Sequence, residues 1–297
     1  MSPTAAVDCP EPGIYHDVPD EVYRSWDAVN NSSLGPALRS LSHYKSALER
    51  PRTATPAMEF GRFVHTVVLE PELLAARYVV TPDLVADLEG EYKNPKASKE
   101  YKSKLAEFHD LHADREVVEA DWYERAVAMI DAVKACPKAR DLLRGVGPTE
   151  SSIVWHDKLT GLRCKARVDK VTEAGLLADL KTTADASAFA KSMAAYGYAR
   201  QAAFYIDGME AVTGELHRLA FVAVEKEPPH AVRAAVVADR AVDYGRRQYQ
   251  RILRGICEAR AYDRWPGYDQ PTEFDLPSWC YEAEDVALEV GGAEVRI

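Results

Sequence analysis

The hydrophobic pattern changes period near Glu150, dividing the chain into a helical first half and a second half that contains strands. Asn31-Ser32-Ser33 offers a helix cap ahead of Leu34, Leu38 and Leu41, which recur at helical spacing. A second helix is predicted over 57–69, through Phe60, Val64 and Val68, and stops before Pro71. Residues 98–135 carry a polar helical pattern whose apolar periodicity strengthens at Trp122, Val127, Ile130 and Val133. Before all of these, Pro3, Pro10, Pro12 and Pro19 predict an extended lead-in over residues 1–30, because proline fixes its own φ and disfavours a helical residue before it.

Beyond Glu150 the pattern alternates. Residues 151–157, a Thr160-Gly161 turn and residues 162–169 predict two strands joined as a hairpin. Residues 176–183 are apolar on both sides of their polar positions, as an interior strand is. Helices over 186–193 and 196–212, strands over 217–225 and 231–237, and a long helix over 239–262 complete the pattern. This order predicts an α/β fold with a mixed central sheet flanked by helices and a helical N-terminal portion. A single domain is expected over 31–271, with a helical part 31–148, a core 149–238 and a C-terminal helix 239–264; a tail follows over 272–297.

The 297 residues are 47% hydrophobic and 28% charged, enough for a large core without disulfide or metal staples. Collagen-like, disordered and mini-protein classes are excluded. Cys9, Cys136, Cys164, Cys257 and Cys280 are scattered and form no C-x-x-C pair, so neither a disulfide framework nor a zinc ribbon is indicated. No apolar run approaches the roughly 20 residues of a membrane span, and the opening lacks the basic and apolar regions of a signal peptide, so a cytoplasmic protein with no membrane association is expected. With 37 Lys and Arg against 47 Asp and Glu, the formal net charge is −10, which argues against loose coating of nucleic acid but leaves room for a local basic groove. The tail holds seven acids against the single base Arg296, and so carries −6 of that charge.

The chemistry concentrates where Asp169 ends one strand and Asp179-Leu180-Lys181 lies in the next. Strand alternation places Asp179 and Lys181 on one face and turns Leu180 into the core. Two carboxylates on adjacent strands repel each other and lose hydration, a situation relieved by a divalent cation bound through oxygen. A nearby lysine can hold or deprotonate a water, or stabilise charge building on a phosphate. An Asp-x-Lys triplet alone is commonplace, and a surface ion pair is then the ordinary reading.

The wider context is more specific. Residues 161–169, then 177–183, then Tyr196-Gly-Tyr-Ala-Arg-Gln201-Ala-Ala-Phe-Tyr205 closely resemble the nuclease core of the PD-(D/E)XK superfamily, in particular the RecB-like branch with its Gln-x-x-x-Tyr helix. Gly61-Arg-Phe-Val-His65 resembles the Gly-x-x-x-His helix of that branch. Asn31-Ser-Ser-Leu34, Ser42-His-Tyr44, Trp265-Pro-Gly-Tyr268 and Leu276-Pro-Ser-Trp279 resemble the opening and ending of the exodeoxyribonuclease VIII (RecE-like) nuclease domain.

The resemblance implies that His65, Asp169, Asp179 and the backbone carbonyl of Leu180 bind metal, with Glu150 a further acid that serves either as a ligand or as an ordinary hairpin-edge residue. It implies Lys181 as the catalytic lysine. Gln201 and Tyr205, one helical turn apart, would contact DNA phosphate or orient the lysine. Arg247, Arg251 and Arg254 share one face of the last long helix and either track a phosphate backbone or form a solvated face with ion pairs.

The activity implied is a Mg²⁺-dependent exodeoxyribonuclease, with Mn²⁺ as a substitute. It would act 5′-to-3′ on double-stranded DNA ends and leave 5′-phosphates, in phage-type recombination beside a single-strand annealing recombinase. With only Cys257 and Cys280 after the core, no iron–sulfur cluster is expected. Net charge and resemblance together imply a homo-oligomer, a tetrameric ring with a central channel. Two alternatives stay open: an accessory or structure-specific nuclease acting on single strands, and an inert DNA-binding scaffold of the same fold.

Overall fold

Residues 13–25, inside the expected extended lead-in, form strand β1 (Gly13–Tyr15) and helix α1 (Asp20–Ser25). Proline restricts only its own position and the one before it, so the stretch between Pro12 and Pro19 is free to pair. The computed structural model describes residues 8–50, 54–88, 91–268, 275–282, 287–290 and 293–296. The lead-in is anchored by Lys165, whose Nζ donates to the carbonyls of Tyr23, Arg24 and Trp26 at 2.7, 3.2 and 2.7 Å around the end of α1.

The first helix expected after Asn31 is broken. Asn30, not Asn31, caps a short 3-10 turn over Asn31–Ser33, Pro36 opens another over Pro36–Leu38, and α2 (Leu41–Glu49) then starts from a Ser40 cap. Next come α3 (Pro56–Leu69), α4 (Leu74–Arg77) and β2 (Tyr78–Val80). The region whose pattern predicts continuous helix over 98–135 is α5 (Lys99–Leu111), β3 (Glu116–Val118) and α6 (Ala120–Ala135), followed by α7 (Pro137–Arg144). The β-branched Val117-Val118 pair leaves helix to run parallel to β2, with Val79 opposite Val117.

The second half follows its pattern: β4 (Thr149–His156), β5 (Arg163–Val171), β6 (Leu176–Thr183), α8 (Phe189–Tyr196), α9 (Tyr198–Thr213), β7 (Arg218–Glu225), β8 (Val232–Val236) and α10 (Asp239–Tyr262). In the tail, α11 (Ser278–Glu282) precedes an antiparallel pair, β9 (Ala287–Val290) and β10 (Ala293–Arg296). Thr272, Glu273, Glu284 and Asp285 of that tail lie outside the described residues.

Six strands form one mixed sheet in the order β1-β4-β5-β6-β7-β8, parallel between β6 and β7 and antiparallel elsewhere. Ala178, Leu180 and Val222 on one face meet Phe63 and Val64 of α3, Met129 of α6 and Leu143 of α7. Leu177, Leu219 and Phe221 on the other face meet Phe204 and Met209 of α9 and Leu253 and Ile256 of α10. Each fully buried side chain of this size contributes about 1.5–3 kcal/mol by leaving water. The sheet is thus held rigidly between two helical layers, and β6 runs through its middle. Among the described residues no helix is long and apolar enough to cross a membrane.

Candidate active site

β5 and β6 pair through Lys170↔Ala178 and Val171↔Leu177, a register that sets Asp169 opposite Asp179. There the strands part: β6 stays parallel to β7 along its whole length, and the Asp169 side chain replaces the lost ladder bond by accepting the Leu180 N–H at 2.7 Å. The fork leaves polar backbone and two carboxylates at the point where the sheet opens.

α3 closes one side of the fork. Its apolar positions Phe60, Phe63, Val64 and Val67 face the core, which leaves His65 at the strand ends. His65 Nε2 lies 2.8 Å from the Leu180 carbonyl oxygen and Nδ1 3.5 Å from Asp169 Oδ2. β4 supplies Glu150, set opposite Asp169 by the flanking pairs Thr149↔Lys170 and Ser151↔Val168. Glu150 has φ 45°, a left-handed conformation that costs a non-glycine residue about 1–2 kcal/mol. One ligand atom each from His65, Glu150 and Asp169 lie within 4.8 Å of one another.

The Asp179 carboxylate, 1% exposed, is held from both sides. Gln201 Nε2 donates to its Oδ2 at 2.5 Å, and Lys181 Nζ pairs with its Oδ1. Lys181 also sits over the rings of Tyr198 and Phe221, 5.1 and 5.7 Å from their centroids.

Burial, then the charges of Asp169 and Glu70, pushes Glu150 up to about 8. Burial, then Asp169, pushes Asp179 up to about 6 against the pull of Lys181. For Lys181, burial favours the neutral amine, but Asp179 and Asp169 outweigh it, so its pKa lies above the ordinary lysine value and it stays charged. Tyr205 is raised by burial and by Asp179.

Carboxylates buried together hold their protons to higher pH than exposed ones, a cost that a bound cation relieves. The donor set combines an imidazole nitrogen, carboxylate oxygens and an adjacent strand carbonyl, which suits a hard divalent cation such as Mg²⁺ or Mn²⁺.

His65, Glu150, Asp169, Asp179, Leu180, Lys181, Gln201 and Tyr205 are therefore gathered around one fork. Glu150 joins His65 and Asp169 in the three-residue grouping, whereas both oxygens of Asp179 are engaged by Gln201 and Lys181. Gln201 is 7% exposed and donates its amide N–H to Asp179, on the α9 face that it shares with the partly buried Tyr205.

Arg247, Arg251 and Arg254 lie on the exposed side of α10, and among the described residues no ion pair links them to the fork. His109 on α5 is exposed, whereas His112, just after the helix, is half-buried, accepting from Arg115 at 2.7 Å against the edge of Phe108. Two neighbours of the fork carry little signal in the sequence. Glu70 follows α3 and pairs with Arg77 at 2.6 Å, and Tyr198 covers the lysine. The only hints of them are the Glu-Pro stop of α3 and the aromatic ahead of Gln201.

A mixed sheet forked between β5 and β6, with carboxylates and a lysine at the fork, defines the PD-(D/E)XK type of α/β fold. Residues 32–274 match the PDDEXK-like domain of unknown function (DUF3799), and the chain belongs to that family. Its fold is similar to a crystal structure described as a candidate exonuclease from Eubacterium rectale, with TM-score 0.52, 13% identity, and coverage of 89% of this chain and 91% of that one. An alkaline exonuclease from Laribacter hongkongensis matches with TM-score 0.29 and 16% identity, over 65% of this chain and 97% of that one. No curated protein matches the chain.

Proposed function

We propose that this protein is a divalent-metal-dependent DNA exonuclease that hydrolyses phosphodiesters at duplex ends, 5′-to-3′, releasing products with 5′-phosphates. The observation that carries the reading is the meeting, at one fork, of the His65, Glu150 and Asp169 donors with the Asp179–Lys181 pair. His65, Glu150, Asp169, the Leu180 carbonyl and one oxygen of Asp179 would hold the cation. Bound there, Mg²⁺ or Mn²⁺ supplies Lewis acidity toward the phosphate and the attacking water.

The protein's own groups do the rest. Lys181, kept charged by its acidic neighbours, places a positive charge where the phosphate gathers negative charge; its raised pKa makes it a poor base. Gln201 fixes Asp179, and through it the lysine. In the overall reaction water adds its oxygen to phosphorus, the 3′-oxygen leaves, and it takes up a proton. The resemblance to the exodeoxyribonuclease VIII domain further supports a role in phage-type recombination beside a single-strand annealing recombinase.

Duplex DNA labelled at the 5′ or the 3′ end tests the polarity: the 5′ label is expected to appear first in mononucleotides. Release of the 3′ label first, or cleavage of single strands only, overturns the duplex 5′-to-3′ reading in favour of an accessory nuclease.

A further inference from the structure

Among the described residues, Arg200 is a buried cation without a counter-charge. It lies in the first turn of α9, is 4% exposed, and donates through Nε to Asn31 Oδ1 at 3.0 Å. Its Nη1 is buried and has no hydrogen-bond partner, and among the described residues no carboxylate lies within ion-pair distance. Burial alone moves its pKa, downward, with no acid acting against it. An unpaired buried charge is costly, and an anion bound from outside the chain would offset that cost.

The surroundings compound the positive charge. The guanidinium folds back over Gly197, the residue before α9: a Cβ there would lie 2.8 Å from Nη2 and 3.0 Å from both Cζ and Nη1. Gly197 has φ 70°, suits glycine for both reasons, and brings no side-chain cap to the helix. The positive dipole end of a 16-residue helix therefore lies beside the guanidinium. The next residue, Gln201, holds Asp179.

We propose that Arg200, the α9 N-terminus and Asn31 form a receptor for one phosphate of the DNA strand, set beside the cleavage fork. The receptor deepens the nuclease reading and rests on it for the identity of the ligand, but its chemistry is that of any tetrahedral phosphate. Within DNA the phosphate is either an internal phosphodiester or a terminal 5′-phosphate. Arg200 would then act in binding and registering the strand, not in the hydrolytic step.

Two measurements on the full chain test this. In thermal melts with inorganic phosphate as the probe, phosphate raises the melting temperature of wild type and loses that effect in Arg200→Gln and Asn31→Ala. Without phosphate, Arg200→Gln melts no lower than wild type, since it removes an unpaired buried charge. In steady-state cleavage of duplex DNA, Arg200→Gln raises KM about tenfold, the scale of one charge-assisted contact, with kcat within about twofold of wild type.

An equal KM change on 5′-phosphorylated and 5′-hydroxyl ends identifies an internal phosphate, and a change confined to phosphorylated ends identifies the terminal one. Equal phosphate stabilisation of wild type and Arg200→Gln, or an unchanged KM, overturns the receptor. Phosphate stabilisation lost in the variants, in a protein that cuts no DNA, would leave the receptor standing and remove the nuclease reading.

Discussion

Asp169 accepts the backbone N–H of Leu180 at 2.7 Å, so a side chain of β5 takes the place of a ladder bond to β6. That contact keeps the fork open without leaving a buried N–H unpaired, and turns the Leu180 carbonyl toward His65. Shape and proposed chemistry meet at this point: the group that splits the strands is also one of the donors proposed to hold the cation.

Division of labour among the polar residues follows from their contacts. Asp169→Ala removes a donor and the strand-splitting contact, and is expected to abolish both cation binding and cleavage. Lys181→Ala should retain cation and DNA binding yet lose roughly 10² or more in rate. Gln201→Ala, which frees one side of Asp179, should lower kcat with little effect on DNA affinity. Calorimetric cation titration beside single-turnover rates checks all three; a Lys181→Ala rate equal to wild type contradicts the assignment.

Glu150 and Asp179 are pushed up to about 8 and about 6, above ordinary carboxylates. Between the ordinary carboxylate range, about pH 4, and these values, the folded protein holds protons that the unfolded chain has released, so stability falls as pH rises through that window. In chelator, the melting temperature should decline from about pH 5 to about pH 8, and Glu150→Gln should flatten the upper part. Mg²⁺ should stabilise more at the higher pH, where the carboxylates release protons more readily. Identical slopes in wild type and Glu150→Gln would contradict the raised pKa of this acid.

The α9–α10 crossing positions Arg200 and Gln201 and leaves no spare room. A Cβ on Gly245 would lie 2.1 Å from the Ala199 carbonyl oxygen and 2.7 Å from the Arg200 nitrogen. Gly245→Ala must therefore push the helices apart, at about 1–3 kcal/mol or more. Chemical denaturation should show that loss, accompanied by reduced cleavage as α9 shifts; wild-type stability would refute so close an approach.

Strand parity makes much of the site legible in the amino-acid sequence. Alternation alone puts Asp179 and Lys181 on one face and buries Leu180, and the register of the β4–β5 hairpin follows from its Thr160-Gly161 turn. Glu150 is ambiguous by pattern because its role depends on a left-handed φ that a glutamate does not advertise. The lead-in strand β1 and the β2–β3 pair escape a periodicity argument because three residues are too few for a period to show. In sequence Arg200 looks like any helical arginine. Its meaning lies in what does not surround it, and only tertiary packing reveals that.

A chain with net charge −10 gains little from a diffuse positive field when it holds a polyanion. The expected solution is a homo-oligomer, proposed as a tetrameric ring, that encloses DNA. Light scattering at micromolar concentration should give a multiple of 33.0 kDa; a monomer mass combined with rapid transfer to competitor DNA contradicts the ring.

The most direct test of the fork as a metal-dependent nuclease centre is the hydrolysis of end-labelled duplex DNA by purified wild-type protein, with Mg²⁺ and with excess chelator, alongside Asp169→Ala. Mononucleotide release should occur with Mg²⁺ or Mn²⁺ and stop in chelator and in Asp169→Ala, while Ca²⁺ supports binding without turnover. Cleavage that persists undiminished in chelator or in Asp169→Ala would contradict it.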